Sequence, residues 1–276
     1  MELFKIEELE QVSPLFRGKA GHGLARGIFK ALGISRIQEG YDRNDCYEGP
    51  EFASHILEEF GVRYSVEGPG LGLLPEGPFI TVSNHPYGSI DGLALVDIFG
   101  HLRPDFKIMV NKVLGRVKAL EPSFIKVTPT LADRKAPDQQ TMSGIREALR
   151  HVRDGHPLGL FPAGAVSDLS LKDRCIRDRE WQEPILRFIR KVELPVVPVR
   201  FFDRNSDFYY LLGLIDWRIR VLRLPREVLN KTGRQVRVGI GAPISPEAQA
   251  ACSTLEDFGA LLRDSVYSMK PATSKP

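Results

Sequence analysis

Apolar runs alternate along the chain with longer stretches of helical periodicity. Nearly continuous apolar runs occur at PFITVS, FKIMVN, PLGLFP and LPVVPVRFF, as expected for strands that are buried on both faces. Between them lie amphipathic stretches such as EWQEPILRFIRKVE, which predict helices. Strands that alternate with helices of this length are typical of an α/β fold. The pattern therefore predicts a mixed, largely parallel sheet flanked by helices.

Further elements are predicted on both sides of this core. The stretches VRYSVEG and RQVRVGIG predict two more strands. A helix is predicted in EGPEFASHILEEFG, with Pro50 in its first turn and Gly61 as its stop. The stretch STLEDFGALLRDSVYSM predicts a helix that opens with a capping box formed by Ser253 and Glu256.

The pattern divides the chain into three parts. Residues 1–61 predict a helical segment packed on the core, with an amphipathic helix in GHGLARGIFKALGISR. Residues 62–269 contain the alternating strands and helices, and we expect them to form one α/β domain. The tail KPATSKP, residues 270–276, is expected to be frayed.

Composition excludes several classes of protein. The 276 residues are 42% hydrophobic and 26% charged, which argues against disorder, and no window of 18 residues is apolar throughout. The opening MELFKIEELE lacks the basic and apolar regions of a signal peptide, so we expect an intracellular protein. The three cysteines are far apart and lie in no zinc-like spacing, which predicts reduced thiols and no metal site.

A histidine and an aspartate follow one of the apolar runs, in FITVSNHPYGSIDGLAL. Functional groups of open α/β sheets gather past the carboxyl ends of the strands, which is where His85 lies. Gly88 permits a tight turn, and a helix that starts near Ser89 would place Asp91 in its first turn. A carboxylate there would orient the imidazole and make it a general base. The same pair is also compatible with a structural hydrogen bond.

Several motifs in order resemble the glycerolipid acyltransferase family, which includes the enzymes that acylate lysophosphatidic acid. They are SNHPYGSIDG, LFPAG at 160–164 and PVVPV at 195–199, and the resemblance spans roughly residues 62–245. The spacing of five residues between His85 and Asp91 is one longer than in the main family. This spacing and the run FFDRNSDFYYLLG resemble those of a bacterial branch of the family that is labelled hemolysin-like.

The resemblance implies an O-acyltransferase that uses a fatty-acyl thioester. His85 would deprotonate an acceptor hydroxyl, and Asp91 would orient His85. It implies no cofactor besides the donor, which would be acyl-CoA or acyl carrier protein. Backbone N–H groups near Gly164 or beside Asn84 would stabilise the oxyanion. The implied substrate-binding positions are Asn84, Gly88, Lys126, Phe161, Pro162, Gly164, Arg200, Arg204 and Asn205.

One motif departs from the family in a way that affects the acceptor. The family's FPEGTR is FPAGAV here, so Ala163 replaces a glutamate and Val166 replaces an arginine that is expected to bind phosphate. This change favours an acceptor that is derived from an amino acid, or that has an otherwise uncharged headgroup, over one that carries a phosphate. Nearby cations that are candidates to replace the arginine, each also compatible with a surface role, are Lys126, Arg134, Lys172, Arg174 and Arg200.

A basic and apolar stretch near the end of the chain predicts contact with a membrane. Residues 211–229 place Arg218, Arg220, Arg223 and Arg226 among apolar side chains and a tryptophan. This composition suits anionic lipid headgroups, and GLARGIFKALG is a weaker second candidate. Both are equally compatible with amphipathic core helices, and the first also with binding the donor's phosphates. We expect a peripheral protein on the inner face of the cell membrane that binds no nucleic acid.

Two other functions compete with this interpretation. A catalytically idle lipid-binding or membrane-perturbing protein would explain the changed residues in FPAGAV. A serine hydrolase is disfavoured, because the chain lacks a GxSxG elbow.

Overall fold

The computed structural model describes residues 17–127 and 139–272, apart from the side chains at 113, 139–141 and 218. Arg134, one of the cations singled out above, lies outside the described residues, and so does the predicted frayed tail from residue 273 onward. The proposed boundaries at residues 61 and 269 stay a prediction.

A seven-stranded sheet forms the centre of the described chain, with the strand order β1-β9-β8-β2-β5-β3-β4. Its neighbouring strands are parallel except for the antiparallel pair β8 and β9. A short antiparallel hairpin, β6 with β7, lies outside this sheet. The strands are β1 (Arg63–Glu67), β2 (Ile80–Ser83), β3 (Lys107–Asn111), β4 (Phe124–Val127), β5 (Leu158–Leu160), β6 (Asp168–Ser170), β7 (Cys175–Arg177), β8 (Val196–Phe201) and β9 (Gln235–Ile240).

Helices connect and cover the strands, as parallel pairing requires. Those described are α1 (Gly18–Ala31), α2 (Ile34–Asn44), α3 (Gly49–Glu59), α4 (Ile90–Leu102), α5 (Gln139–Arg153), α6 (Glu183–Val192), α7 (Asp207–Ile215), α8 (Trp217–Leu222), α9 (Leu224–Leu229), α10 (Pro246–Ala250) and α11 (Leu255–Tyr267). None of the helices in the described ranges is long and apolar enough to cross a membrane.

Two clusters of buried apolar side chains form the core. One joins α3 and α4 to the sheet and contains Phe52, Phe99 and Val199. The other joins α5, α6 and α11 to the sheet and contains Ile189 and Phe258. Helices on both sides bury all four residues of the central strand β2, including the hydroxyl-bearing Thr81 and Ser83.

The predicted mixed, largely parallel fold is confirmed, and so are the predicted strands within a few residues. The helix predicted in GHGLARGIFKALGISR is interrupted at Gly33, which separates α1 from α2. The structure also contains strands that were not predicted, namely β4 at the sheet edge and the hairpin of β6 and β7, whose strands are only three or four residues long. Such short strands carry too little apolar periodicity to stand out from loops.

The predicted capping box of the last helix is wrong by one residue. Thr254, not Ser253, is the N-cap of α11: its hydroxyl accepts the Asp257 N–H at 3.0 Å, and the Asp257 carboxylate accepts the Thr254 N–H at 3.2 Å. Both residue pairs have the sequence pattern of a capping box. Burial of Phe258 and Leu262 fixes the helix register, and this selects the later pair.

We expect Thr254→Ala to lower the free energy of unfolding by about 1 kcal/mol, because it leaves a helix N–H without its capping acceptor. Urea unfolding followed by circular dichroism measures this change. Ser253→Ala, at the exposed neighbouring position, is the matched control and should change stability by less than about 0.5 kcal/mol. Equal losses in the two variants would contradict the assignment of the cap.

Candidate active site

His85 and Asp91 lie where the central strand β2 ends and α4 begins. Pro86 and Gly88 shape the turn between them, and Gly88 has a left-handed backbone conformation with a φ of 86°. Helix α4 starts at Ile90, so Asp91 lies in its first turn, as the spacing predicted. The turn folds the carboxylate back toward the imidazole, so that residues six positions apart in sequence are in contact.

The Asp91 carboxylate is fully buried and is held by the backbone of its own turn. One oxygen accepts the N–H groups of Tyr87 and Gly88 at 3.0 and 3.2 Å. The other accepts the N–H of Gly92 at 3.1 Å. These three hydrogen bonds compensate for the loss of water around a buried charge and fix the position of the carboxylate.

The imidazole of His85 lies next to this carboxylate. Its Nδ1 atom is 2.9 Å from Asp91 Oδ2, a close contact that is not an aligned hydrogen bond. Burial lowers the pKa of His85, but the charges of Asp91 and Asp178 outweigh it, and the pKa lies above its ordinary value. Nδ1 is therefore the ring nitrogen that faces Asp91.

A second buried carboxylate supports the backbone of His85. Asp178 is 2% exposed, and its Oδ1 atom accepts the His85 N–H at 3.1 Å and the Ser167 hydroxyl at 2.6 Å. Ser167 in turn donates its N–H to the His85 carbonyl at 2.9 Å. Burial raises the pKa of Asp178. The sequence analysis missed both residues, because they follow the FPAG motif in a polar stretch with no recognisable spacing.

Asn84 fixes the loop from the other side. Its side chain is buried, and it makes two hydrogen bonds to the backbone of Phe201: Nδ2 donates to the carbonyl at 2.9 Å, and Oδ1 accepts the N–H at 2.8 Å. Both polar atoms of the amide are therefore occupied by the end of β8. This geometry indicates a positioning role for Asn84, in place of the direct substrate contact that was expected.

The His85 ring lines an apolar cavity of about 710 Å³, a volume typical of small-molecule sites. Phe161 packs against the imidazole with ring centroids 4.1 Å apart. The walls come from many elements, since the cavity reaches from the N-terminal helices past β3 to α6 and α9. Apolar lining residues include Ile37, Phe52, Leu93, Val110, Phe124, Leu149, Phe188, Leu222 and Leu224.

The structure brings some of the predicted site residues together and separates others. Gly88, Phe161 and Gly164 line the same cavity as His85. Pro162 is buried, and its carbonyl accepts the Gln182 N–H at 2.9 Å.

The predicted cations lie elsewhere. Lys126 pairs with Glu121, and the Arg200 guanidinium donates to the carbonyls of Tyr267 and Met269, so neither lines the cavity.

Arg204 and Asn205 line a separate, polar pocket of about 370 Å³ together with Lys231 and Arg234. Arg204 pairs with Asp207 at 2.8 Å. Asn205 donates to the carbonyl of Tyr87 at 3.1 Å and so supports the loop between His85 and Asp91. Ser206 caps α7 by accepting the Tyr209 N–H.

Two backbone groups considered for the oxyanion are already in use. The Gly164 N–H donates to the Phe161 carbonyl at 2.9 Å, and the N–H next to Asn84, that of His85, donates to Asp178. Gly164 itself is confined: its φ is 65°, and an added Cβ would meet the Gln182 side chain at 2.1 Å. An oxyanion donor among these two groups would therefore require the loop to rearrange.

The expected basic face of residues 211–229 is only partly present. Arg220 is 4% exposed and pairs with Asp168 and the Ser167 carbonyl. Arg223 pairs with the buried Glu227 at 3.1 Å, whereas Arg226 is exposed. The expectation that all these arginines face lipid headgroups is wrong for Arg220, because its charge is neutralised inside the protein. Arg218 has no described side chain.

Comparison with known proteins identifies the group to which this chain belongs. The sequence profile described as "Acyltransferase" matches residues 23–274. A lyso-glycine lipid O-acyltransferase of Bacteroides thetaiotaomicron is 30% identical over 229 residues, covering 80% of each chain. A protein of the same name from Phocaeicola vulgatus is 31% identical over 229 residues, covering 80% of this chain and 78% of the relative.

Among solved structures, the 1-acyl-sn-glycerophosphate acyltransferase PlsC of Thermotoga maritima covers 96% of this chain and 95% of its own. Its sequence is 14% identical and the TM-score is 0.47.

The match of the family profile extends over nearly the whole described chain and includes both the His85 loop and the FPAG segment. The chain belongs to the acyltransferase family, as the glycerolipid acyltransferase motifs predicted.

Proposed function

We propose that this protein transfers a fatty acyl group from a thioester to the hydroxyl of a lyso-lipid, with His85 as general base and Asp91 as its orienting partner. The observation that carries the proposal is the imidazole, which lies 2.9 Å from a buried carboxylate and lines a long apolar cavity. Family membership supports the reaction class, and the apolar walls suit acyl chains.

In this mechanism His85 Nε2 takes the proton of the acceptor hydroxyl while the oxygen attacks the thioester carbonyl. The new C–O bond produces a tetrahedral oxyanion, which collapses as the C–S bond breaks. The thiolate leaves and takes the proton back from His85, so the products are an ester and a free thiol. Asp91 stabilises the imidazolium that forms between these two steps, which is the work of an orienting carboxylate.

For the acceptor we propose an amino-acid lipid that lacks one acyl chain. The two curated relatives are named for a lyso-glycine lipid, and their names describe acylation at oxygen. The replacement of the phosphate-binding arginine by Val166 agrees with an acceptor that carries no phosphate.

For the donor we propose acyl-CoA or acyl carrier protein. The polar pocket of Arg204, Lys231 and Arg234 supports either, because these three cations outnumber the one acidic residue of its lining, Asp207, and an excess of positive charge favours a phosphate or an acidic protein. Its wall residue Asn205 contacts Tyr87, two positions after His85. We place the protein at the inner face of the cell membrane, where such donors and a lipid acceptor meet.

We expect His85→Ala to lower the turnover number by about 10²–10⁴-fold, because it removes the proton acceptor. Release of free thiol from an acyl thioester, measured with a lyso-lipid present, reports the rate. His156→Ala is the matched control: His156 pairs with Asp105 away from the cavity, and its loss should leave the rate near that of the wild type. Turnover of folded His85→Ala at the wild-type rate would exclude the mechanism.

The pH dependence follows from the raised pKa of His85. A general base must be neutral, so the wild-type rate should fall as the pH drops through that raised pKa. Asp91→Asn removes a charge that raises the pKa, so the acid limb of the rate profile should move to lower pH. The plateau should also fall, by about 10²–10⁴-fold, because the imidazolium is no longer stabilised. An unmoved acid limb in a folded variant would show that Asp91 does not control the protonation of His85.

The acceptor is tested with a panel of lyso-lipids, each supplied with acyl-CoA and with acyl carrier protein. We expect a lyso-glycine lipid to be acylated faster than lysophosphatidic acid, since Val166 cannot pair with phosphate. Mass spectrometry identifies the new ester. Preferential acylation of the phosphate-bearing acceptor would contradict the proposed acceptor class. If no thioester is consumed with either acceptor, the proposed transferase reaction is wrong.

A further inference from the structure

An exposed apolar face covers the outside of α7 and α8. The eight side chains that form it are between 42% and 76% exposed, and they follow one another over a short length of chain. We call them the α7–α8 surface: Phe208, Leu211, Leu214, Ile215, Trp217, Ile219, Val221 and Leu222. A contiguous apolar patch of this kind marks an interaction site, because scattered apolar residues would not gather on two consecutive helices.

The inner side of the same helices is firmly anchored. Tyr209 and Tyr210 are almost fully buried, and the Tyr210 hydroxyl donates to the Pro86 carbonyl at 2.8 Å. Arg220 is buried in its ion pair with Asp168, and its guanidinium carbon lies 5.3 Å from the centre of the Tyr209 ring. These contacts determine which side of each helix faces the protein, so the apolar side is directed outward by the fold.

This surface continues into the cavity at His85. Val221 and Leu222 belong to the exposed face and also line the cavity, and Leu224, one turn further, lines it as well. Leu224 packs on the catalytic loop, since a Cβ added to Gly88 would lie 3.0 Å from its side chain and 2.8 Å from that of Val166. Apolar side chains therefore extend without a break from the outer surface to the loop that carries His85.

We propose that the α7–α8 surface inserts into a lipid bilayer and that the lyso-lipid acceptor passes from the bilayer along Val221, Leu222 and Leu224 to His85. This deepens the proposed function and rests on it for the identity of the acceptor. Trp217 is of the side-chain type that favours the boundary between headgroups and acyl chains. Arg226 is exposed two positions after Leu224, so anionic lipids should add to an attraction that is mainly apolar.

The bilayer fits this surface better than a protein partner does. A second copy of the chain seated on the α7–α8 surface would cover Val221 and Leu222 and so obstruct the end of the cavity. A bilayer, in contrast, would supply the substrate through the same opening. The proposal also explains the presence of Val166, because an arginine at that position would place a charge beside the apolar route at Gly88.

Vesicle binding by the full-length protein tests the proposal. Binding is measured by sedimentation with vesicles of phosphatidylcholine, with and without phosphatidylglycerol. Ile215→Asn with Trp217→Asn should weaken binding at least about tenfold, because two exposed apolar side chains that would enter the bilayer are lost. Leu102→Asn is the matched control: Leu102 is 53% exposed, much like Trp217 at 54%, but lies at the end of α4. It should bind vesicles like the wild type.

Fluorescence locates the contact independently. The chain has two tryptophans, and Trp181 is buried whereas Trp217 is exposed. Brominated lipids should quench the wild type, and Trp217→Phe should remove most of this quenching while vesicle binding persists. Binding without quenching by the brominated lipids would show that another surface meets the membrane and would overturn the proposal.

The remaining outcomes separate this proposal from the proposed reaction. The double variant should retain turnover of a short-chain acceptor dissolved in water and lose turnover of an acceptor embedded in vesicles. Vesicle binding equal to the wild type would refute the docking surface even in an active enzyme. If the wild type is a dimer and the double variant is a monomer that binds vesicles equally well, the surface serves self-association. Absence of thiol release from every protein would refute the reaction only, since sedimentation needs no turnover.

Discussion

The buried carboxylate of Asp91 is held in place by three backbone N–H groups of its own turn, and His85 depends on it. A charge without water is tolerated only where hydrogen bonds and an opposite charge compensate for the lost hydration. Here the tight turn at Gly88 supplies those donors, so the charge and the shape of the loop stabilise each other. The imidazole is then placed by a rigid neighbour and keeps a pKa above its ordinary value in spite of burial.

Distant parts of the chain converge on the backbone of the same loop. Asn84 ties it to the end of β8, Asp178 accepts the N–H of His85, and Ser167 donates to the His85 carbonyl. Each partner is itself buried, so the contacts are made without competition from water. Such support suits the role that we propose for His85, since a small displacement of a general base lowers the rate.

The contacts of the FPAGAV segment explain why its sequence can differ from the family motif. Val166 packs on Gly88 where the family motif has an arginine, and the guanidinium of Arg220 binds the carbonyl of Ser167 and the carboxylate of Asp168. The Arg220 side chain therefore anchors α8 to the core. The surroundings of His85 are therefore largely apolar, and this agrees with a lipid acceptor without phosphate.

The sequence by itself determined most of the strands and helices in their order along the chain, and the closeness of His85 to Asp91. These features are local: apolar periodicity reports which faces are buried, and only five residues separate His85 from Asp91, among them a proline that restricts the backbone and a glycine that permits the tight turn. Contacts with Asp178 and Phe201, 93 and 117 residues away from their partners, were decided only by the tertiary structure. The same holds for the burial of Arg220, because a polar residue in a loop or an amphipathic stretch has no local signal that reveals which distant group it will meet.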